Sequence, residues 1–140
     1  MERILKFRGK NIHTGKWLYG DYHREGKTHY ITKPGDYLRE YAPIEFIVDG
    51  ETVGQFTGLL DKNDKEIYEG DIITVKGRYP RVVLWDKMMW ALMPTEYYHD
   101  EVFWVMNLQH PGVDWWEEFA DEFEIIGNIH DNPSLISDKQ

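Results

Sequence analysis

Along the opening residues Ile4, Lys6 and Arg8 alternate with Leu5 and Phe7, the period-two pattern of a short strand with one buried face. Residues 9–15 read as a polar loop. A second strand follows over 17–22, and Arg24-Glu25-Gly26-Lys27 supplies a turn into residues 28–32, whose β-branched and aromatic side chains favour an extended backbone. These segments predict an N-terminal hairpin. Pro34-Gly35 and Pro43 mark residues 33–43 as a loop, and the strand-like runs 44–48 and 52–57 flank Asp49-Gly50, a dipeptide suited to a tight hairpin turn.

The second half repeats this pattern. A turn cluster at 61–66 leads through residues 67–70 into a strand over 71–76, residues 77–80 turn the chain, and 81–85, 88–93 and 102–108 read as further short strands. One helix is predicted, with Asp114 as its N-cap, Glu117 and Glu118 near its positive end, and Trp115, Trp116, Phe119, Ala120 and Phe123 as its apolar side chains. Residues 123–129 return to a β pattern, and Asn132-Pro133 ends regular structure before a polar tail.

The predicted fold is therefore mainly β, a small β-barrel or sandwich. The chain reads as one domain with an N-terminal β-hairpin region over 1–58, an SH3-like barrel over 59–133, one short helix and a tail over 134–140. Phe56, Leu59, Ile67, Tyr68, Ile72, Val75, Val83, Trp85, Phe123, Ile125 and Ile129 are its predicted core. With 140 residues, 41% hydrophobic and 15% aromatic, the chain can bury enough surface to fold as a single unit.

Charge changes the picture of partners. Residues 1–40 hold nine Lys/Arg against five Asp/Glu, residues 41–94 six against nine, and residues 95–140 one against eleven. The acidic final third repels phosphate backbones, so nucleic acid is disfavoured there, and only the basic N-terminal region with Arg3, Lys6, Arg8, Lys10 and Lys16 offers such a partner a surface. No cysteine is present, which removes disulfides and thiolate ligands and points to a reducing, cytoplasmic compartment. The charged N-terminus does not resemble a secretion signal, and no apolar run approaches membrane-spanning length.

Candidate chemistry is sparse. His99-Asp100-Glu101, His110 and His130-Asp131 bring imidazole and carboxylate together, but without the ligand spacing of a hydrolytic metal site. Asp61-Lys62-Asn63-Asp64-Lys65-Glu66 departs from a calcium loop, with Glu66 at its sixth position and Ile72 at its twelfth. No nucleophile elbow, phosphate-cradling glycine loop or dinucleotide fingerprint occurs. The expectation is a protein with no catalytic residues, no metal and no cofactor.

The six tryptophans and nine tyrosines exceed what a small core commonly needs. Trp17, Trp90, Trp104, Trp115 and Trp116 are the candidate interface aromatics, because Trp and Tyr are enriched where subunits meet.

Several segments then converge on one family. The residues are Lys6-Phe7-Arg8-Gly9, Gly15-Lys16-Trp17-Leu18-Tyr19-Gly20-Asp21, residues 52–59, Asp61-Lys62-Asn63, residues 65–72 and residues 123–133. In this order they resemble the YopX family of phage and prophage proteins, across almost the whole chain. Asp64 stands where the motif more often has Gly, and His130 where an aromatic is usual. The resemblance implies an all-β, often oligomeric protein and supplies no catalytic residue. Its motif residues Gly54, Gly58, Gly70, Asp71, Gly127, Asn128, Asn132 and Pro133 read as structural, since glycines and turn formers dominate. The functional expectation is a non-enzymatic accessory protein acting as a homo-oligomer or on a protein partner. The alternative is a nucleic-acid-associated module using the basic N-terminal region.

Overall fold

The computed structural model describes residues 4–33 and 44–136. The loop expected over 33–43 lies outside these apart from Lys33, as does the tail from residue 137 onward. The chain divides into two compact units, Met1–Phe56 and Thr57–Gln140. The structure is mainly β, as the sequence pattern predicts, and is arranged in two antiparallel sheets.

In the first unit, β1 (Phe7–Lys10), β2 (Trp17–Glu25), β3 (Thr28–Thr32), β4 (Ile47–Val48) and the start of β5 (Gly54–Leu60) are ordered β4-β3-β2-β1-β5. The β2–β3 hairpin forms as expected, turning at Gly26 with φ 59°. Tyr30, Ile31, Val48 and Phe56 are its buried apolar side chains. Gly20 sits so close to the Thr32 carbonyl that a Cβ would overlap it, which accounts for glycine inside a strand.

The hairpin expected around Asp49-Gly50 is not there. Residues Ile44–Phe46 form a 3-10 turn, and Asp49 caps another over Gly50–Thr52 by accepting the Glu51 N–H at 3.0 Å. The flanking strands take other neighbours, β4 against β3 and β5 against β1. A short polar side chain that bonds its own backbone can cap a turn as readily as it can join a hairpin. Buried Asn11 fastens this region, its Nδ2 donating to the carbonyls of Ile44, Glu45 and Ile47 and its Oδ1 accepting from the N–H groups of His13 and Thr14.

In the second unit, β6 (Glu66–Tyr68) lies beside β5, and β7 (Asp71–Val75), β8 (Arg78–Asp86), β9 (Met89–Pro94) and β10 (Phe123–Asn128) form a sheet ordered β10-β7-β8-β9. The order is open, and no pairing among the described residues closes it into a barrel. Two helices accompany it, α1 (Trp104–Asn107) and α2 (Val113–Phe119). Strand β7 is buried on both faces. Ile73, with Val83, Leu92 and Phe123, packs against Trp116 and Ala120, while Ile72 and Val82 pack with Ile136 on the opposite side.

Four expectations change here. Residues 102–108 contain not a strand but a turn and the single helical turn α1, because an apolar run alone does not distinguish the two. Helix α2 is capped by Gly112 without a side-chain bond, and Asp114 falls inside its first turn, where it still faces the positive helix end. Trp85 is 43% exposed instead of buried, whereas Ile73, Val82, Leu92 and Met93 are fully inside. Regular structure also continues past Asn132-Pro133, since Pro133–Ile136 form a 3-10 turn that delivers Ile136 to the core.

Candidate functional site

The family-motif residues are placed at turns and hydrogen-bonded corners. Gly54 is buried in β5 opposite Arg8, and Gly58 and Gly70 take φ of 89° and 92°, a region that glycine enters at no steric cost. Asp71 is buried, and its Oδ2 accepts the Tyr68 N–H at 2.7 Å, closing the turn between β6 and β7. Asn128 Oδ1 accepts from the N–H groups of His130 and Asp131, and its own N–H donates to Asn132 Oδ1. A Cβ on Gly127 would crowd that Asn132 oxygen, so glycine lets the Asn128–Asn132 turn fold back onto β10, with Pro133 opening the final 3-10 turn. The side-chain oxygens of Asp71, Asn128 and Asn132 accept from backbone N–H groups, while Asn128 Nδ2 donates to Asp131 Oδ2 at 3.1 Å.

Asp61 works in the same way, although its calcium-loop appearance drew attention for another reason. It is buried, and its Oδ1 accepts from the N–H groups of Asn63 and Lys65 while Oδ2 reaches the N–H of Ile125 across the unit. Burial pushes its pKa up, but the three N–H donors and the Lys65 charge outweigh burial and hold it below the usual aspartate value. Among the described residues no three His, Asp or Glu side chains gather to hold a metal. His110 instead meets Asp86 at 2.9 Å on the surface.

The candidate interface aromatics separate into different environments. Trp116, 7% exposed, belongs to the core, and Trp115 packs edge-on to it and against Phe119 and Phe123. Trp90 is half-buried beside Trp85, and Trp104 stands edge-on to Tyr98. Trp17 carries the Arg8 guanidinium 4.5 Å above its ring, with the Lys10 ammonium 5.6 Å away. Apolar exposure is concentrated elsewhere, at Val102, Phe103, Val105 and Met106 in and just before α1, with Val105 84% and Met106 78% exposed.

A second feature was not anticipated from the sequence. In β8, Arg78 pairs with Val75 and Arg81 with Ile73, so the β8 side of the ladder holds one residue more than the β7 side. This bulge contains Tyr79, at φ 54°, and Pro80, which has no N–H to give a ladder. Along a regular strand residues three apart face opposite sides, but the extra residue brings Arg78 and Arg81 to one face. It is the face of Ile73, covered by α2. There the two arginines, Lys76 and Tyr79 line a cavity of about 530 Å³ with Val75, Trp115 and Phe119. The sequence pattern places residues 78–80 in a turn, Arg81 at the start of a strand and Trp115 among the interface aromatics, and so does not bring them together. Proline within a β-rich run was the available signal for a bulge.

Burial pushes the Arg81 guanidinium below its ordinary pKa, with the Tyr79 hydroxyl acting in the other direction, and arginine stays charged throughout the working range. Arg81 lies over the Tyr79 ring at 5.7 Å. Lys76 meets Glu122 at 3.5 Å. Neither Arg78 nor Arg81 has a carboxylate within ion-pair distance among the described residues.

With this geometry in place, the chain can be compared with known proteins. The model of the family described as YopX protein matches residues 6–137. The crystal structure of protein EF1440 from Enterococcus faecalis is similar, with a TM-score of 0.53 and 21% identity over 97% of this chain and 100% of that one. At that identity the likeness concerns fold. No curated protein matches.

Proposed function

Because the chain belongs to the YopX family, we propose that it is a non-enzymatic accessory protein of phage or prophage type, cytoplasmic, which acts by associating with copies of itself. The observation that carries this reading is the apolar surface of residues 102–106. Four large apolar side chains there are exposed within five residues, and α1 buries none of its own residues. Contiguous apolar exposure of this kind is characteristic of a contact surface, whereas scattered exposed apolar residues need no explanation. The absence of cysteine supports the compartment.

Size exclusion with light scattering tests the association. At micromolar concentration the expected mass is a multiple of 16.7 kDa, and Val105→Glu with Met106→Glu is expected to return the monomer without loss of fold. A wild-type monomer across the micromolar range overturns this reading.

The second reading, a nucleic-acid-associated module, draws on the adjacency of Arg8, Lys10 and Trp17, which places cations beside a stacking ring. It ranks lower because Arg8 already covers that ring. Titration with single- and double-stranded DNA and RNA separates the two readings, since binding that persists at physiological salt would favour the second.

A further inference from the structure

The cavity under the β8 bulge has a composition unlike the rest of its unit. Residues 57–140 carry seven Lys/Arg against seventeen Asp/Glu, yet three of those seven cations, Lys76, Arg78 and Arg81, line this one cavity and no carboxylate does. Trp115 and Phe119 form its other wall, and Tyr79 its rim. We propose that this cavity binds a free mononucleotide, with the phosphate held by Arg78 and Arg81 and the base against Trp115.

The chemistry follows from what each wall offers. A guanidinium presents its donors as a planar fork matched to phosphate oxygens, and two such forks on one face suit a group with several oxygens and more than one charge. Lys76 is partly neutralised by Glu122, which leaves the two arginines as the cations that would receive it. Arg81 is partly stripped of water, so a charge placed beside it is screened less than at an open surface. The half-buried Trp115 lines the cavity and is the aromatic ring there against which a base would pack. The volume, about 530 Å³, falls within the range of small-ligand pockets. A long polyanion shares the phosphate and base but would have to run across a unit with ten more acidic than basic residues. Charge therefore favours the free nucleotide over a strand.

The bulge is the feature that makes the site. Without the additional residue, Arg78 and Arg81 would face opposite sides of the sheet. The left-handed backbone at Tyr79 belongs to this arrangement, since the extra residue lets both arginines line the cavity beside α2.

The test is calorimetric titration of the full chain with AMP, GMP, CMP and UMP in turn, alongside adenosine, inorganic phosphate and an eight-residue oligodeoxyadenylate. At least one monophosphate is expected to bind saturably, with adenosine and phosphate weaker by about tenfold or more. Arg78→Gln and Arg81→Gln are each expected to weaken binding by a similar factor, while Lys87→Gln, in the exposed β8–β9 turn, leaves it unchanged. Arg78 is exposed, so its variant remains informative even if the Arg81 variant fails to fold. Absence of binding by all four monophosphates at millimolar concentration overturns the proposal, as does unchanged binding by a folded Arg78→Gln protein. Tighter binding of the oligonucleotide than of any monophosphate overturns the free nucleotide as occupant. The Val105→Glu, Met106→Glu protein is expected to bind as wild type does, so loss of association and loss of the nucleotide site are read apart.

Discussion

Asp61 illustrates how single residues in this chain are used. Its buried carboxylate takes three backbone N–H donors, from Asn63, Lys65 and Ile125. Replacing it by Ala removes all three acceptor contacts, and hydrogen bonds to a charged group contribute about 1.5–3 kcal/mol each where they are shielded from water. Urea denaturation of Asp61→Ala is expected to show a loss of about 1–3 kcal/mol, and an unchanged midpoint would refute the role. The pH dependence has a definite sign. Because the folded pKa lies below the unfolded one, the ionised Asp61 contributes stability above the ordinary aspartate value of about 3.9, and that contribution is lost as the pH falls through the lower folded value. Asp61→Asn is expected to flatten the acid limb of the stability curve. The sequence showed Asp61 as a turn residue, but it could not show Ile125, sixty-four positions away, as a partner.

At the scale of elements, period-two patterning succeeded where a strand is buried on at least one face and failed where chain direction depended on tertiary partners. β3, β7 and β10 lie close to the expected positions, since their β-branched and aromatic residues sit against a core, and β2 forms too, held between β1 and β3. Residues 102–108 carry the same residue types and do not form a strand: Val102, Phe103, Val105 and Met106 are turned to solvent and have no sheet partner among the described residues to pack against. The arginine cavity was illegible for a related reason, as a bulge changes which face a residue occupies and alternation assumes that none intervenes. Trp85 was expected in the core and lies outside, while Ile72 is fully buried beside Val82 and Ile136. Ile72→Ala is expected to cost about 2–5 kcal/mol through lost burial and a residual cavity. Trp85→Ala is expected to cost clearly less in the same denaturant titration, because nearly half of its surface is already hydrated. Equal losses would mean that Trp85 is covered in solution.

For the molecule as a whole, two forces compete to drive assembly, and they respond to salt in opposite ways. Charge offers one route, since residues 1–40 are net positive and residues 95–140 strongly negative, so that one copy could attract another through unlike segments. The apolar side chains of 102–106 offer the other. An assembly held by exposed ion pairs weakens as added salt shortens the Debye length from about 10 Å at 0.1 M to about 3 Å at 1 M. An apolar contact does not, and between proteins with a net charge of −9 added salt also screens mutual repulsion. The expected result is therefore an association measured by light scattering that holds or strengthens between 0.1 M and 1 M sodium chloride, at about the same protein concentration. Dissociation over that range would assign the contact to the charged segments and leave the apolar surface for another protein, and in that case Val105→Glu with Met106→Glu would leave the assembly at low salt intact.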